Sequence, residues 1–175
     1  MISVILDVQE NGSAALARTL QNLVSFAIDG LVVEVTLLHD KLDNTTQVLA
    51  DEAGCILRPQ TEGLKPALES ARGDWLLFME PGSTLEAGWA DVVHAHAMAD
   101  GGAAYFKLAV TDARPWWQRV LKPATHSSPL ARGLLISKRQ ARANLKEQKS
   151  AVELMRGLAL KRLSASIHPA PIKAI

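Results

Sequence analysis

Apolar positions along this chain recur with two different periods. Short aliphatic runs at residues 2–6 (Ile-Ser-Val-Ile-Leu), 31–38 (Leu-Val-Val-Glu-Val-Thr-Leu-Leu), 55–57 and 75–79 (Trp-Leu-Leu-Phe-Met) have the length and β-rich composition of buried strands. Between them the apolar positions step by three and four, as on one face of a helix. Leu16, Leu20, Leu23 and Ala27 follow a turn at residues 9–13; Val48, Leu49 and Ala53 precede Gly54; Leu64, Leu68 and Ala71 precede Gly73. Ser13 and Asn44 stand where helix caps belong, and Pro66 falls in a first turn that tolerates its missing N–H. Strands alternating with helices in this way predict βαβ units and a parallel sheet. Further along, the pattern predicts a helix over 86–99, strands over 103–110 and 133–137, and a helix over 149–163, with an irregular crossing segment over 112–129. The fold class is therefore α/β, a sandwich with a mostly parallel central sheet, read as one domain over residues 1–175.

Composition narrows the class. A chain of 175 residues can bury a sizeable core without stapling, and the lone Cys55 allows no intrachain disulfide, which favours a reducing, cytoplasmic setting. Nineteen basic against eighteen acidic side chains leave a formal charge of +1, not the basic excess of a nucleic-acid binder. The first apolar run is short and lacks a basic leader, and no later run is long enough to span a bilayer, so the sequence predicts neither a signal peptide nor a membrane span.

The tract from Gly73 to Trp89 holds the densest chemistry: a buried strand runs into the acidic turn Glu80-Pro81-Gly82 and then into a helix. Strand, turn and helix in that order put the turn at the carboxyl edge of the sheet, where open α/β folds bind ligands. This tract resembles the segment carrying the Asp-x-Asp motif in family 2 glycosyltransferases of the GT-A fold, especially the short bacterial members. Residues 2–6, 34–40, 50–54, 71–78 and 133–136 resemble the family's blocks in the same order. The resemblance implies a GT-A, nucleotide-diphospho-sugar transferase-like domain whose nucleotide site is lined by Val8, Gln9, His39, Asp40, Glu80 and Gly82.

The same comparison places substitutions at three acidic positions. Where the family has an acid that holds the base at the end of the second strand, this chain has His39, followed by Asp40. Where it has the second carboxylate of the metal motif, this chain has Gly82. Where it has the catalytic acidic pair, Ser150 and Ala151 stand, with Glu147 and Glu153 as the nearest substitutes for the base. The Gly-Asp-Gln turn of short relatives reads Leu130-Ala131-Arg132. One remaining carboxylate is a weak anchor for a hard cation, so the expectation is no cofactor and no bound divalent metal. A missing general base typically costs about 10² to 10⁴ in rate, which points to a noncatalytic binding or assembly module; the alternative is an active, atypical, metal-independent transferase using a nucleotide sugar. Lys41, Arg58, Lys65 and Arg132 are the cations that could hold a diphosphate without metal.

Other signals are weaker. His94 and His96 sit two apart on a predicted helix and cannot share a face, so they predict no zinc site. Cys55, among apolar neighbours, reads as an inert buried thiol. Trp116 and Trp117, flanked by cations, are open to three readings: core or intersubunit packing in a homo-oligomer, peripheral membrane contact, or sugar stacking. A sugar nucleotidyltransferase would need a glycine-rich turn after the first strand, and residues 6–12 hold only Gly12.

Overall fold

The computed structural model describes residues 1–10, 12–109, 128–145 and 150–171. Eight strands form one sheet: β1 (Ile2–Val8), β2 (Val32–His39), β3 (Ile56–Pro59), β4 (Trp75–Met79), β5 (Thr84–Leu85), β6 (Ala104–Leu108), β7 (Leu134–Ser137) and β8 (Lys161–His168). Their order is β3-β2-β1-β4-β7-β6-β8-β5. The first four are parallel neighbours, as the sequence predicts for residues 2–6, 34–38 and 75–79. β7 runs antiparallel between β4 and β6, β8 parallel to β6, and β5 antiparallel to β8.

Both faces are covered. On one, Val4, Leu6, Val8, Leu37, Leu77 and Met79 pack with Leu16 and Leu23 of α1 (Ser13–Ile28), Ala50 of α2 (Asn44–Glu52), and Trp89 and Val93 of α4 (Trp89–Met98). On the other, Ile5, Leu38, Leu76 and Phe78 meet Leu64, Ala67 and Leu68 of α3 (Leu64–Ser70), Ala141 of α5 (Lys138–Asn144), and Ala151 and Leu154 of α6 (Ala151–Met155). Strands buried on both faces read as continuous apolar runs, which is why they were visible in the sequence.

The predicted helix over 149–163 is corrected. α6 stops at Met155, the chain turns at Gly157 (φ 86°), and residues 161–168 form β8. Leu154 and Leu158, four apart, and Leu160 and Leu163, three apart, mimic helical spacing, while the buried residues of the strand, Leu163 and Ile167, with the partly buried Ala165 between them, follow a period of two. Asp43, not Asn44, caps α2, accepting from Thr46 N–H at 3.0 Å; α1 is preceded by Gly12, with no side-chain cap. Most of the predicted crossing segment, with Trp116 and Trp117, lies outside the described residues.

The amino ends of β1, β2 and β4 are tied by one carboxylate. Glu34, with a side chain only 4% exposed, accepts from Ser3 Oγ at 2.5 Å, from the Arg72 N–H at 2.6 Å and from Arg72 Nε at 3.0 Å. Burial pushes its carboxyl upward, but these donors outweigh burial and hold it below the usual glutamate range. A depressed folded value means the stabilisation is present above the ordinary glutamate range and fades as pH falls through the folded value. Glu34→Gln is expected to cost about 1–2 kcal/mol at neutral pH in denaturant titrations, the gap from the native protein closing on acidification.

Candidate functional site at the carboxyl edge

β1, β2 and β4 end almost level. Val8 pairs with His39 and Leu6 with Met79, so Glu80 lies level with Asp7, and His39 also faces Pro59 at the end of β3. Because β2 and β4 flank β1, two strand spacings, about 10 Å, separate His39 from Glu80. The edge thus gathers Val8, Gln9, His39, Asp40 and Glu80 from three neighbouring strand ends.

Strand alternation sorts these side chains. His39, level with Val8, is turned to the α1–α2 face, where its Nδ1 is buried without a hydrogen-bond partner among the described residues. Asp7, level with Leu38, is turned to the α3–α5 face. There Gln60, in the 3₁₀ turn Gln60–Glu62, donates Nε2–H to Asp7 Oδ2 at 3.2 Å. Burial, and then the charge of Asp40, push the Asp7 carboxyl above the ordinary aspartate range, the Gln60 bond offsetting part of this. The sequence reading missed Asp7 and Gln60 as a pair because they are far apart in the chain and lie in no motif.

The acidic turn is held from behind. Thr19 of α1, fully buried, accepts the Gly82 N–H at 2.8 Å and donates to the Ser83 carbonyl at 2.9 Å. Asn22, one turn on, brackets Leu85 with bonds of 2.8 and 3.2 Å. Gly82 has φ 96°, and a Cβ there would lie 3.2 Å from Ala170 Cβ and 3.4 Å from Ala15 Cβ. Gly82 is therefore a tightly packed backbone position in the left-handed region, where a side chain would be strained and its neighbours would have to shift. Polar residues at apolar-face positions of α1 were the available signal for Thr19 and Asn22.

The remaining predicted residues separate. Ser150 Oγ accepts the Glu153 N–H at 3.3 Å as the cap of α6, and Ala151 is buried, so the two positions of the acidic pair are used in folding. Glu153 is exposed in the first turn of α6; Glu147 lies outside the described residues. Among the four candidate cations, Lys41 pairs with Glu10 at 3.1 Å, Arg58 with Glu62 at 3.8 Å and Lys65 with Glu69 at 3.9 Å. Arg132 has no carboxylate partner among the described residues and stacks on Tyr105, 5.4 Å from the ring centre. It stands just before β7, whose Leu134 pairs with Phe78, so its backbone lies at the same end of β4 as Glu80. A groove of about 630 Å³ opens between α3 and α5, lined by Lys65, Glu69, Arg142 and Leu145.

The discounted residues have structural surroundings. His96 is hydrogen-bonded through Nε2 to the Gly102 carbonyl at 2.8 Å and packs edge-on to Trp75. Burial pushes the Cys55 thiol up to about 11, which keeps it protonated and unreactive. Among the described residues no helix is long and apolar enough to cross a membrane.

A mixed sheet with this strand order, covered on both faces and presenting an acidic turn after β4, is a GT-A glycosyltransferase-like fold. It matches the crystal structure of Mycobacterium tuberculosis glucosyl-3-phosphoglycerate synthase with a TM-score of 0.66 at 17% identity, covering 100% of this chain and 73% of that one. The same synthase with Mn²⁺ and UDP-glucose gives 0.66 at 16%, covering 100% and 72%. Staphylococcus aureus TarS gives 0.62 at 16%, covering 94% of this chain and 36% of that one. At these identities the likeness is one of fold. No family model matches the chain, and no curated protein matches it in sequence.

These neighbours correct the expectation of no metal cofactor. The synthase has been crystallised with Mg²⁺ and UDP, and with Mn²⁺ and UDP together with either phosphoglyceric acid or glucosyl-3-phosphoglycerate. Solved structures of this fold therefore include divalent cations together with UDP. On this chain, no group of three His, Cys, Asp or Glu side chains gathers among the described residues, and Gly82 adds no oxygen. Among the described residues the side chains do not form a closed cation cage.

Proposed function

We propose that this GT-A domain binds a nucleoside diphosphate or nucleotide sugar along the carboxyl edge of β1, β2 and β4, and that it is impaired as a transferase. The observation that carries the reading is the convergence, in a fold shared with nucleotide-sugar enzymes, of Asp7, Asp40 and Glu80 at one edge with Arg132, which has no carboxylate partner among the described residues. Gln9 would line the base side, Val8 itself being buried in the core, and Arg132 would meet the diphosphate, since a guanidinium is suited to bidentate phosphate contact. Impairment rests on Ser150 and Ala151, of which one caps a helix and the other is buried, so neither can take a proton from an acceptor hydroxyl. Glu147 and Glu153 are the candidates for a substitute base. A cytoplasmic location and a homo-oligomer complete the proposal.

Calorimetric titration with UDP and GDP, with and without Mn²⁺ or Mg²⁺, tests the binding. Binding of UDP is expected, with Arg132→Ala weakening it about 10-fold while leaving the binding of uridine unchanged. No binding of either diphosphate, with either cation present, would sink the reading. Sugar transfer from UDP-glucose at about 1 s⁻¹ or faster, the ordinary enzyme range, would overturn the impairment alone.

A further inference from the structure

We infer that the outer side of α1 is the surface on which two copies of this chain associate, as an antiparallel helix pair whose twofold axis passes between Gln21 and Val24. The inference rests on the homo-oligomer proposed above, gives it a surface and an orientation, and does not depend on nucleotide binding.

α1 turns Leu16, Thr19 and Leu23 into the core. On its outer side Ala14, Ala17, Gln21, Val24 and Ile28 are all exposed, Val24 at 52% and Ile28 at 81%. The steps between them are three, four, three and four residues, the spacing along which two helices pack their seams together. At about 100° per residue, all five positions fall within a stripe about 80° wide. Single apolar side chains on a surface are ordinary. A helix of 16 residues with Arg18 as its only charged side chain is not, because the solvent side of such a helix normally carries its charges.

The stripe is complementary to itself in one orientation, which is what selects a second copy as the occupant. With the axis between Gln21 and Val24, Gln21 lies level with the partner's Val24 and Ala17 with the partner's Ile28. Each end of the pair thus sets the bulkiest exposed side chain of one helix against a methyl group of the other, so the backbones can approach closely. The two Gln21 side chains come within about 4.5 Å of each other along the axis, where each carboxamide can donate to the other. A polar side chain at one such layer fixes register.

Charge agrees with this orientation. Arg18 and Asp29 are exposed, and neither has an ion-pair partner among the described residues. In the antiparallel register Arg18 falls on the same flank as the partner's Asp29, about 3 Å away along the axis, and symmetry forms the pair twice. A parallel pair would instead set Arg18 against Arg18. The overlap from Ala17 to Ile28 spans about 17 Å of helix, and a single pair of this length buries less than the roughly 1,200 Å² of a standard interface, so the dimer is a weak one.

Sedimentation velocity on the full chain, from about 1 to 200 µM without nucleotide, tests the pairing, with an expected dissociation constant of about 10 µM. Ile28→Lys is expected to weaken association at least about 30-fold, since it sets an ammonium in an apolar layer of the seam. Arg18→Glu at low salt is expected to weaken it about 5-fold, and Arg18→Glu with Asp29→Lys to return it to within about 2-fold of the native value. All three positions are exposed, and thermal melts equal to the native one at about 1 µM show that the variants are folded. A native dimer that Ile28→Lys leaves unchanged, or a charge reversal that Asp29→Lys does not rescue, overturns the inference and leaves the homo-oligomer standing. A native protein that stays monomeric over the whole range overturns both, and leaves nucleotide binding to its own titration.

Discussion

Replacing Gly73 with alanine is expected to lower the unfolding free energy by about 3–5 kcal/mol. A Cβ at this position would lie 2.5 Å from the Ser3 backbone nitrogen and 2.8 Å from the Ile2 carbonyl carbon. These neighbours are main-chain atoms of the central strand β1, held between β2 and β4, so they cannot yield as a flexible side chain would. Relief requires β1 and β4 to part, and it takes with it the Gly73 N–H bond to Ser3 Oγ at 2.8 Å, the link between that hydroxyl and Glu34. Urea titration monitored by tryptophan fluorescence measures the loss. A change below about 1 kcal/mol would mean that the approach of the two strands is softer than these distances imply.

Gly82→Asp is expected to cost about 3 kcal/mol and to create no cation site. The substitution would put back the second carboxylate of the family motif. At φ 96° an L-residue is strained, and the new side chain would start against Ala15, Ala170 and Pro171, a setting that penalises a charge. The Gly82 N–H bond to Thr19 fixes the backbone in this conformation. Denaturant titration reads the cost, and calorimetry with Mn²⁺ in the absence of nucleotide reads the site. A variant as stable as the native protein that binds Mn²⁺ would show that the turn can reverse, and that the missing carboxylate was a matter of composition alone.

The strands β1, β2 and β4 were legible because burial on both faces writes them as unbroken apolar runs. β8 was not: Lys161, Arg162 and Ser164 are exposed, so its apolar run is broken, and Leu154 and Leu158 before it stand four apart as on a helix. The edge itself was legible, since the end of a parallel strand is where a following polar residue must emerge. Which face each residue takes there was not, because one step of alternation separates His39 from Leu38 and decides whether a side chain joins Asp7. The packing around Gly82 was not legible either, because Ala170 and Pro171 reach it from the far end of the sequence. The pairings that shape the site, Asp7 with Gln60 and Thr19 with Gly82, join residues that no local pattern connects.

Strand β5 carries a kinetic consequence. Its two residues follow the acidic turn and find their sheet partners in His168 and Ile167 of β8, while Glu86 N–H reaches the Ser166 carbonyl at 3.1 Å. Contacts of such long sequence separation form late, since loop closure must precede any gain from them. The turn that presents Glu80 should therefore become ordered only after β8 has docked, and the two should open together as one cooperative unit when the native state fluctuates. In hydrogen exchange, the amides of Ser83, Leu85 and Glu86 would then exchange with a common opening free energy shared by β8, and occupancy of the edge by a nucleotide would slow a strand whose residues need not touch it.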